Sequence, residues 1–363
     1  MSSLFSQLFE HAISVKIGHL LWTDDLQFGF KPKHSTTHAL FVLNETVEYF
    51  TSHGSSVIAT FLDCSKAFDK VPHKGLFLKL IERNVPLCFL NLFLYWLCNL
   101  SSRCRWCTTY SEPYAILSGV KQGGILSPAL FTVFMNDLIV RLRSEGVGCH
   151  VKSVFLGCIM FADDLVLCAP SRRSMQSLIN ICESYCTEHC LTFNTRKTKS
   201  LVFGKESDSP NRSPLILNGE TIEYVREWKY LGCLVVSGKR FSYSCKLDLS
   251  TFRRSVNSIV TAVRKPSEQV SMKLLYSFSI PILTYASEVK HFSCSDMYDC
   301  HVAVNDAIRR IFLFNRWESI RSLRQCFGYH DLYTLFAIRR RSFLSKLPRM
   351  GNSIIASLIN FIS

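Results

Sequence analysis

The spacing of apolar positions divides this chain into helical and extended segments. Apolar residues that recur every three or four positions predict a helix, and a short unbroken apolar run predicts a strand. On this basis the predicted helices cover residues 2–17, 36–50 and 175–190, followed by a largely helical region beyond residue 250. The predicted strands cover residues 57–62 and 228–236, with a hairpin at residues 157–169.

Two further helices and one boundary carry clear markers. Ser127 followed by Pro128 predicts a helix start, with serine as the N-cap and proline in the first helical position. The apolar run at residues 87–100 is shorter than the roughly 20 residues that span a membrane, so it predicts a buried core helix. A stretch rich in Ser, Pro and Asn at residues 205–214 marks a boundary between segments.

Three aspartates lie at the ends of predicted strands. Asp163 and Asp164 stand together inside the predicted hairpin, and Asp63 directly follows the strand at residues 57–62. Adjacent carboxylates repel each other unless solvent or a cation screens them. An isolated Asp-Asp pair is most often a solvated turn, but a third carboxylate at a strand end completes a set of hard oxygen donors that suits Mg²⁺. We therefore predict a metal site at one edge of a sheet.

The charge of the chain indicates an anionic partner. Its 363 residues include 42 Lys and Arg against 28 Asp and Glu, a formal net charge of +14. Residues 251–363 hold 16 Lys and Arg against 7 Asp and Glu, so most of the excess lies in the last third. Such a basic segment is typical of proteins that bind nucleic-acid phosphates. The sixteen cysteines, which follow no recognisable secretory leader, are interpreted as reduced thiols of an intracellular protein.

Six short segments, in this order along the chain, resemble the motifs of reverse transcriptases from non-LTR retrotransposons, the long interspersed elements. They are QFGFKPKHST at residues 27–36 (fingers), FLDCSKAFDKVPH at 61–73 (motif A), GVKQGGILSPALF at 119–131 (motif B), FADDL at 161–165 (motif C), NTRKTK at 194–199 (motif D) and WKYLG at 228–232 (motif E). The basic tail is similar, less specifically, to the thumb-side region of these elements. The resemblance implies an RNA-directed DNA polymerase, a nucleotidyltransferase that extends a primer 3′-hydroxyl with dNTPs.

The same resemblance implies a role for each matching residue. Asp63, Asp163 and Asp164 correspond to the catalytic metal ligands, which would hold two Mg²⁺ ions, with Mn²⁺ as an alternative. Lys197 corresponds to a general acid for the pyrophosphate leaving group, and Lys199 is a nearby competitor. The other positions correspond to nucleotide-binding residues (Phe68 as the steric gate, Gln122, Gly123, Lys31 and Lys33) and to primer-binding residues (Tyr230, Leu231 and Gly232), which would form the turn that holds the primer terminus. Without the resemblance they would be interpreted as a core aromatic, a glycine turn, solvated lysines and a buried strand end.

The fold implied by the resemblance is α+β, a right-hand polymerase with a small antiparallel palm sheet that carries the three aspartates. The expected segments are partial fingers at residues 1–56, the palm with motifs A to D at 57–205, a primer-grip region at 206–245 and a basic helical thumb at 246–363. The expected partners are an RNA template, a DNA primer and dNTPs, with no membrane. A nuclear location is implied by the family resemblance alone.

Two other interpretations stay open at this point. Only 26 residues precede the fingers motif, and neither an endonuclease constellation nor a Cys/His knuckle is recognised, so we expect a chain shortened at both ends. Such a chain could be a catalytically silent remnant that still binds nucleic acid through its basic tail. A maturase like those of group II introns shares the palm motifs but would need an intron-binding domain, which is not recognised here.

Overall fold

The computed structural model describes residues 4–121, 123–209, 213–262 and 267–362. Helices and strands are mixed along the chain, which confirms the predicted α+β class. Two compact units are present: unit 1 comprises Met1–Ala39 and Tyr49–Tyr224, and unit 2 comprises Leu40–Glu48 and Val225–Ser363. The predicted palm segment ends at residue 205, whereas unit 1 continues to Tyr224 because two more strands join its sheet.

Unit 1 alternates helices and strands in an order close to the predicted one. The helices, of which α2 is shared with unit 2, are α1 (Leu4–Ile17), α2 (Thr36–Ser52), α3 (Ala67–Lys70), α4 (His73–Glu82), α5 (Leu87–Cys98), α6 (Ser127–Ser144) and α7 (Arg172–Glu188). The strands are β1 (Val57–Asp63), β2 (Ser101–Ser102), β3 (Arg105–Trp106), β4 (Thr109–Tyr110), β5 (Tyr114–Ala115), β6 (His150–Val151), β7 (Val154–Phe155), β8 (Cys158–Phe161), β9 (Asp164–Ala169), β10 (Lys199–Phe203), β11 (Leu215–Leu217) and β12 (Glu220–Tyr224).

A six-stranded sheet organises unit 1, with the strand order β11-β12-β10-β1-β9-β8. Strand β1 has the sequence VIATFLD, and every residue before Asp63 is buried. Both edges of β1 are paired, one with β9 and the other with β10, so an almost continuous apolar run suits this central position. The predicted hairpin is confirmed as the antiparallel pair β8 and β9, joined at Ala162 and Asp163.

One pairing departs from the prediction of an antiparallel sheet. Strands β10 and β12 run parallel, with Lys199 opposite Glu223, whereas the other pairings of this sheet are antiparallel. The reason is topological. Strand β11 precedes β12 in the chain and pairs antiparallel with it, so the chain reverses twice after β10 and returns in the original direction. The sheet is therefore mixed.

Helix α7 packs against the sheet, and helix α6 packs against α7. Helix α7 contacts β1, β9 and β11 as well as α6. The Tyr185 hydroxyl donates to the Phe134 carbonyl at 2.6 Å, which satisfies the one polar atom of a fully buried ring and ties the two helices together. Helix α7 begins at Arg172, earlier than the predicted residue 175, because Ser171 caps it by accepting from the Ser174 amide.

Helix α5 is confirmed, but the prediction that it is a buried core helix is wrong. Only Phe93 and Leu97 of this helix are buried, whereas Leu87 and Tyr95 are 71% and 73% exposed. Helical geometry places residues four positions apart on one face, so a single packed stripe leaves the rest of an apolar helix in solvent. Within the described ranges, no helix is both long enough and apolar enough to cross a membrane.

Unit 2 combines a small sheet with helices, which confirms the predicted helical character beyond residue 250. Its strands are β13 (Glu227–Tyr230), β14 (Cys233–Val236) and β15 (Ser242–Ser244), paired in that order and antiparallel. Its helices are α8 (Lys246–Ala262), α9 (Glu268–Leu274), α10 (Ile280–Thr284), α11 (Cys294–Phe312), α12 (Arg321–Cys326), α13 (Leu332–Lys346) and α14 (Ser353–Ile362). The prediction of one strand at residues 228–236 is wrong, because a turn at Leu231 and Gly232 divides this segment into β13 and β14.

An apolar cluster forms the core of these helices. Helix α8 supplies Phe252 and Val256, and α11 supplies Val304 and Ile308 at the same four-residue spacing. This spacing directs one stripe of each helix inward. The charged residues of α8 and α11, including Arg253, Arg254 and Arg310, lie outside the stripe. Basic side chains thus remain available on a helical surface whose stability comes from its apolar face.

Candidate active site

The register of the sheet brings the three predicted aspartates to one edge. Strands β1 and β9 pair so that Asp63, the last residue of β1, lies opposite Asp164, the first residue of β9. Asp163 precedes Asp164 in the turn after β8. Asp63 and Asp164, about a hundred positions apart in sequence, are therefore cross-strand neighbours. Side chains of directly opposite residues are close enough for their charges to interact.

The carboxylates of this edge disfavour one another's ionisation. The pKa of Asp164 is raised from 3.8 to about 6, first by partial desolvation and then by the negative charges of Asp163 and Asp63. The pKa of Asp163 is also raised by burial and by Asp63, against the effect of a backbone hydrogen bond. Asp164 as a residue is still exposed at the strand end, so solvent screens part of this repulsion. The edge thus concentrates negative charge that a cation would compensate.

The two candidate lysines of motif D have different partners. Lys197 Nζ lies 3.4 Å from Asp63 Oδ2, and its side chain is 66% exposed. Its segment is held beside β1 because the Asn194 amide donates to the Asp63 carbonyl at 2.9 Å. Lys199, on β10, instead donates to Glu223 Oε2 on β12 at 2.6 Å. The structure therefore brings Lys197, and not Lys199, to the aspartates.

Phe68 lies just beyond Asp63, at the start of a short helix. Its ring stacks on Phe131 of α6 with 4.3 Å between centroids and an interplanar angle of 16°. Phe30 of the fingers motif meets the same ring edge-on at 5.9 Å. The Phe68 carbonyl also accepts from the Val120 amide at 2.8 Å. Motifs A, B and the fingers motif therefore meet at this half-buried ring, which is fixed in position by contacts on two sides.

The glycine-rich turn of motif B lies immediately before α6. Gly123 has a φ of +82°, and a Cβ added there would meet no heavy atom within 4 Å. The requirement for glycine at this position is thus the left-handed backbone rather than lack of space. Gln122, which was predicted to bind the nucleotide, lies outside the described residues.

Glu10 of α1 helps to position motif B, a role that the sequence did not predict. It is fully buried, and its Oε2 accepts from the amides of Ile125 and Leu126 at 2.5 Å and 3.2 Å. The prediction that Ser127 caps α6 is wrong, because Ser127 is its first helical residue and the distant carboxylate of Glu10 satisfies the preceding amides. A carboxylate at this position also interacts favourably with the helix dipole. No local pattern singles it out, because α1 carries other polar residues such as Gln7, His11 and Lys16.

The fingers motif pairs with the aspartate hairpin. The Phe28 amide donates to the Met160 carbonyl at 2.8 Å, and the Met160 amide donates to the Leu26 carbonyl at 2.9 Å, so this segment extends the sheet beyond β8. Gly29 approaches the turn so closely that a Cβ there would collide with the Ala162 backbone nitrogen. Only glycine fits this contact.

Gln27, also fully buried, stabilises the close contact between Gly29 and the Ala162 backbone. Its Oε1 accepts from the amides of Gly29 and Ala162 at 2.8 Å and 3.0 Å, and its Nε2 donates to the Ala162 carbonyl at 3.4 Å. The side chain thus holds both backbone groups of the residue that precedes Asp163. The sequence analysis included Gln27 in a motif but assigned no role to it.

The two lysines of the fingers motif differ in whether their ammonium groups are free to bind phosphate. Lys31 Nζ donates to the carbonyls of Thr23 and Asp24 at 3.1 Å and 3.0 Å and contacts Asp25 Oδ1 at 3.4 Å. These contacts use its three donors, so phosphate binding by Lys31 would require their exchange. Lys33 is exposed, with a φ of +65°.

The predicted primer-binding residues form a tight turn in unit 2. Tyr230 lies opposite Cys233 at the end of the hairpin, and the two residues between them, Leu231 and Gly232, have φ values of +43° and +79°. Positive φ at both central positions is the geometry of a type I′ turn. The Tyr285 hydroxyl donates to the Leu231 carbonyl at 3.0 Å, and a Cβ on Gly232 would come within 3.0 Å of the Tyr285 ring.

The aspartate edge fits a divalent cation by its donor chemistry. Three carboxylates supply hard oxygen ligands, and their mutual repulsion is the kind that a cation relieves. Among the described residues, however, no three Asp, Glu, His or Cys side chains already form a group that could hold a metal ion.

Comparison with known proteins places these motifs in a family. Residues 7–235 match the family model described as reverse transcriptase (RNA-dependent DNA polymerase). The chain is 27% identical over 263 residues to a probable RNA-directed DNA polymerase from transposon BS of Drosophila melanogaster, covering 70% of this chain and 28% of that protein. It is 26% identical over 289 residues to a Pol polyprotein from the retrotransposable element R2 of Nasonia vitripennis, covering 77% and 27%.

Among solved structures, apo telomerase from Candida tropicalis is similar with a TM-score of 0.47 and 10% identity, covering 96% of this chain and 60% of that one. The chain spans less than a third of the length of the two transposon relatives. The family model covers more than half of the chain, and its span includes all six motifs. The predicted resemblance is confirmed: the chain belongs to the reverse transcriptase family.

Proposed function

We propose that this chain is a polymerase core that copies RNA into DNA by adding dNTPs to a primer 3′-hydroxyl. The observation that carries the proposal is the register of β1 and β9, which sets Asp63 opposite Asp164 with Asp163 beside them. Three carboxylates at one sheet edge, with raised pKa values for two of them, are suited to hold two Mg²⁺ ions. When bound, such ions lower the pKa of an attacking hydroxyl and neutralise charge on the leaving group.

The remaining residues of unit 1 would position and discriminate the nucleotide. Phe68, stacked on Phe131, would present a fixed ring to the sugar and exclude a ribose 2′-hydroxyl by lack of space. Gly123 would let the backbone approach the incoming nucleotide, and exposed Lys33 would contact its phosphates. Lys197 would donate a proton to the pyrophosphate, since it is the lysine beside Asp63.

Unit 2 would bind the primer and the duplex. Tyr230, Leu231 and Gly232 would contact the primer end through the rigid turn described above. Exposed arginines such as Arg253 and Arg254 would neutralise phosphates without reading sequence. Binding of this kind weakens as salt rises, because neutralised phosphates release counterions.

The test is primer extension on a poly(rA) template with an oligo(dT) primer. Asp163→Asn removes one negative charge from the edge and should lower the extension rate by about a thousandfold or more, since metal-assisted charge stabilisation contributes several kcal/mol. Asp208→Asn, on the surface of unit 1, is the matched control and should leave the rate unchanged. Salt-dependent duplex binding without any incorporation in Mg²⁺ or Mn²⁺ would favour the catalytically silent remnant instead.

The two lysines offer a second, internal comparison. Lys197→Ala should lower the extension rate by about a hundredfold, because a positioned proton donor contributes on that order. Lys199→Ala removes an ion pair with Glu223 and should change the rate by less than about threefold. Equal losses in the two variants would remove Lys197 from the proposed mechanism while leaving the role of the aspartates intact.

A further inference from the structure

Phe30 of the fingers motif lies in a backbone conformation that aromatic residues rarely adopt. Its φ is +58°, in the left-handed region, and its side chain is 52% exposed to solvent. Burial therefore does not explain why a bulky residue occupies this position. Strained residues of this kind cluster at functional sites, where the surrounding structure holds them in place. The ring of Phe30 contacts that of Phe68, the proposed steric gate, and this contact connects it to the site.

The chain is anchored on both sides of Phe30. The Gly29 amide donates to Gln27 Oε1 at 2.8 Å, within the contact that joins the fingers motif to the aspartate hairpin. On the other side, the Lys31 ammonium donates to two backbone carbonyls at 3.1 Å and 3.0 Å. The contacts of the neighbouring residues thus impose the left-handed conformation, and they fix the place from which the ring of Phe30 projects.

The backbone of Phe68 is held by motif B. The Val120 amide donates to the Phe68 carbonyl at 2.8 Å, and the Gly119 amide donates to the Val71 carbonyl at the same distance. A Cβ on Gly119 would collide with the Asp69 backbone, so motif B lies directly against this part of motif A. The freedom that remains at Phe68 is rotation of its side chain.

Two rings limit this rotation. Phe131 is fully buried and stacks on Phe68 with 4.3 Å between centroids and 16° between planes. Phe30 meets Phe68 at 5.9 Å with the planes at 88°. Stacked and edge-to-face arrangements are the ones in which aromatic pairs attract each other. Removal of the Phe30 ring would leave Phe68 with one of these two contacts, while the backbone bonds of Phe68 would stay in place.

We propose that Phe30 is a positioning residue for sugar selection, whose ring holds the Phe68 side chain where a ribose 2′-hydroxyl would collide with it. This inference rests on the proposed polymerase function, with Phe68 as its steric gate. Exclusion by collision requires a rigid gate, because a ring that rotates away removes the collision. Loss of the Phe30 ring should therefore admit ribonucleotides without preventing the use of deoxynucleotides.

The test compares incorporation of dATP and ATP, which differ only in the 2′-hydroxyl, on a poly(rU) template with an oligo(dA) primer. Selectivity is the ratio of kcat/KM for dATP to that for ATP. Phe30→Ala should lower this ratio about tenfold, mainly through faster ATP incorporation, because the gate ring is displaced rather than removed. Phe30→Tyr keeps the ring and should restore the selectivity of the parent chain. Phe9→Ala removes the same side chain at the same exposed fraction, 52%, from α1 and should leave the ratio unchanged.

Phe30→Gly separates sugar selection from stability. Glycine suits the left-handed backbone, so this variant should have a higher thermal midpoint than Phe30→Ala. It lacks the ring, however, so its selectivity should be as low as that of Phe30→Ala. A selectivity that recovers together with the thermal midpoint would show that Phe30 acts on folding alone, and it would overturn the inference.

A double-mutant cycle with Phe68→Ala shows whether Phe30 acts through the gate. Phe68→Ala should lower the ratio more than Phe30→Ala does, and adding Phe30→Ala to it should lower the ratio no further. Additive losses, or an unchanged ratio in Phe30→Ala, would overturn the inference while leaving the polymerase function intact. Incorporation of neither dATP nor ATP by the parent chain would overturn the proposed function and this inference with it.

Discussion

Two tight turns of this protein join antiparallel strands with two residues, yet different devices hold them. In unit 1, Ala162 and Asp163 connect β8 to β9, and Ala162 has a φ of +58°. In unit 2, Leu231 and Gly232 connect β13 to β14 with positive φ at both positions. A left-handed backbone costs a non-glycine residue about 1–2 kcal/mol, so each turn needs support from elsewhere.

The support comes from one long side chain in each case. Gln27 is buried and bonds both the amide and the carbonyl of Ala162, whereas Tyr285 makes one hydrogen bond to the Leu231 carbonyl and covers Gly232 with its ring. The turn that carries a catalytic candidate is therefore held on both backbone groups, inside the protein. The other is held at one carbonyl, on a partly exposed surface. We call these two side chains, Gln27 and Tyr285, the clamps of the two turns. Removal of the Gln27 clamp should lower the stability of the protein more than removal of the Tyr285 clamp.

The largest effect is expected at the first turn. Gln27→Leu would leave the amides of Gly29 and Ala162 and the Ala162 carbonyl without their side-chain partner in a buried site. Each such loss costs about 1–3 kcal/mol, so with three groups affected we expect the free energy of unfolding to fall by about 3 kcal/mol or more. Misplacement of Asp163 should also lower the primer-extension rate by about tenfold or more. Urea denaturation and the extension assay measure the two effects.

Gln269→Leu, at an exposed position of α9, is the matched control and should change stability by less than about 0.5 kcal/mol. If Gln27→Leu behaves like this control, the amide contacts do not stabilise the turn. Loss of stability without loss of rate would instead mean that the clamp supports folding but does not position Asp163.

A smaller effect is expected at the second turn. Tyr285→Phe removes the hydroxyl that donates to the Leu231 carbonyl but keeps the ring over Gly232, so the free energy of unfolding should fall by about 1 kcal/mol. Tyr298→Phe, at an exposed position on α11, should have almost no effect. A loss for Tyr285→Phe as large as that for Gln27→Leu would show that the two clamps do not differ as the structure indicates.

The smallest effect concerns the charge beside the first turn. The pKa of Asp164 is about 6 in the folded chain against 3.8 as its ordinary value, so the folded state binds its proton more tightly than the unfolded state. Its contribution to stability is therefore present below about pH 4 and is lost as the pH rises through about 6. Asp164→Asn carries no such charge. The melting temperature of Asp164→Asn minus that of the parent chain should therefore increase by about 1–2 °C as the pH is raised from about 4 to about 6, after allowance for solvent screening.

Differential scanning fluorimetry in EDTA measures this difference, because EDTA removes cations that would neutralise the edge. Asp208→Asn provides the control for a surface carboxylate. A melting-temperature difference that does not change with pH would mean that neither partial burial nor the neighbouring carboxylates raise the pKa of Asp164 in the folded chain.

Much of the fold was predictable because its signals are local. The apolar run of β1, the helical spacing of α1, α2 and α7, and the polar interruption in the β8–β9 hairpin all lie within short windows. The apolar pattern alone missed the β13–β14 hairpin, because its turn has the sequence Leu-Gly, not the Asn-Gly or Asp-Gly that signals such turns; the turn at Leu231 and Gly232 was expected only from the motif E resemblance. The exposure of α5 was also missed, since apolar composition does not say which face of a helix finds a partner.

The candidate site was predictable in part for the same reason. The motifs identified the three aspartates, and the sheet register then placed them together. The roles of Glu10 and Gln27 were not predictable, because each depends on a contact with a residue more than a hundred positions away. Nor could spacing decide between Lys197 and Lys199, which lie two positions apart but face different carboxylates.

The sequence by itself therefore determined the family, the α+β class, most of the helices and strands, and the residues that carry negative charge at the sheet edge. These follow from residue order and from periodicities that extend over a few turns or one strand. The tertiary structure alone decided which side chains support the two turns, which lysine meets Asp63 and how α6 is capped. Such features depend on packing between distant segments, because burial makes each unpaired polar group costly and so selects partners that no local pattern encodes.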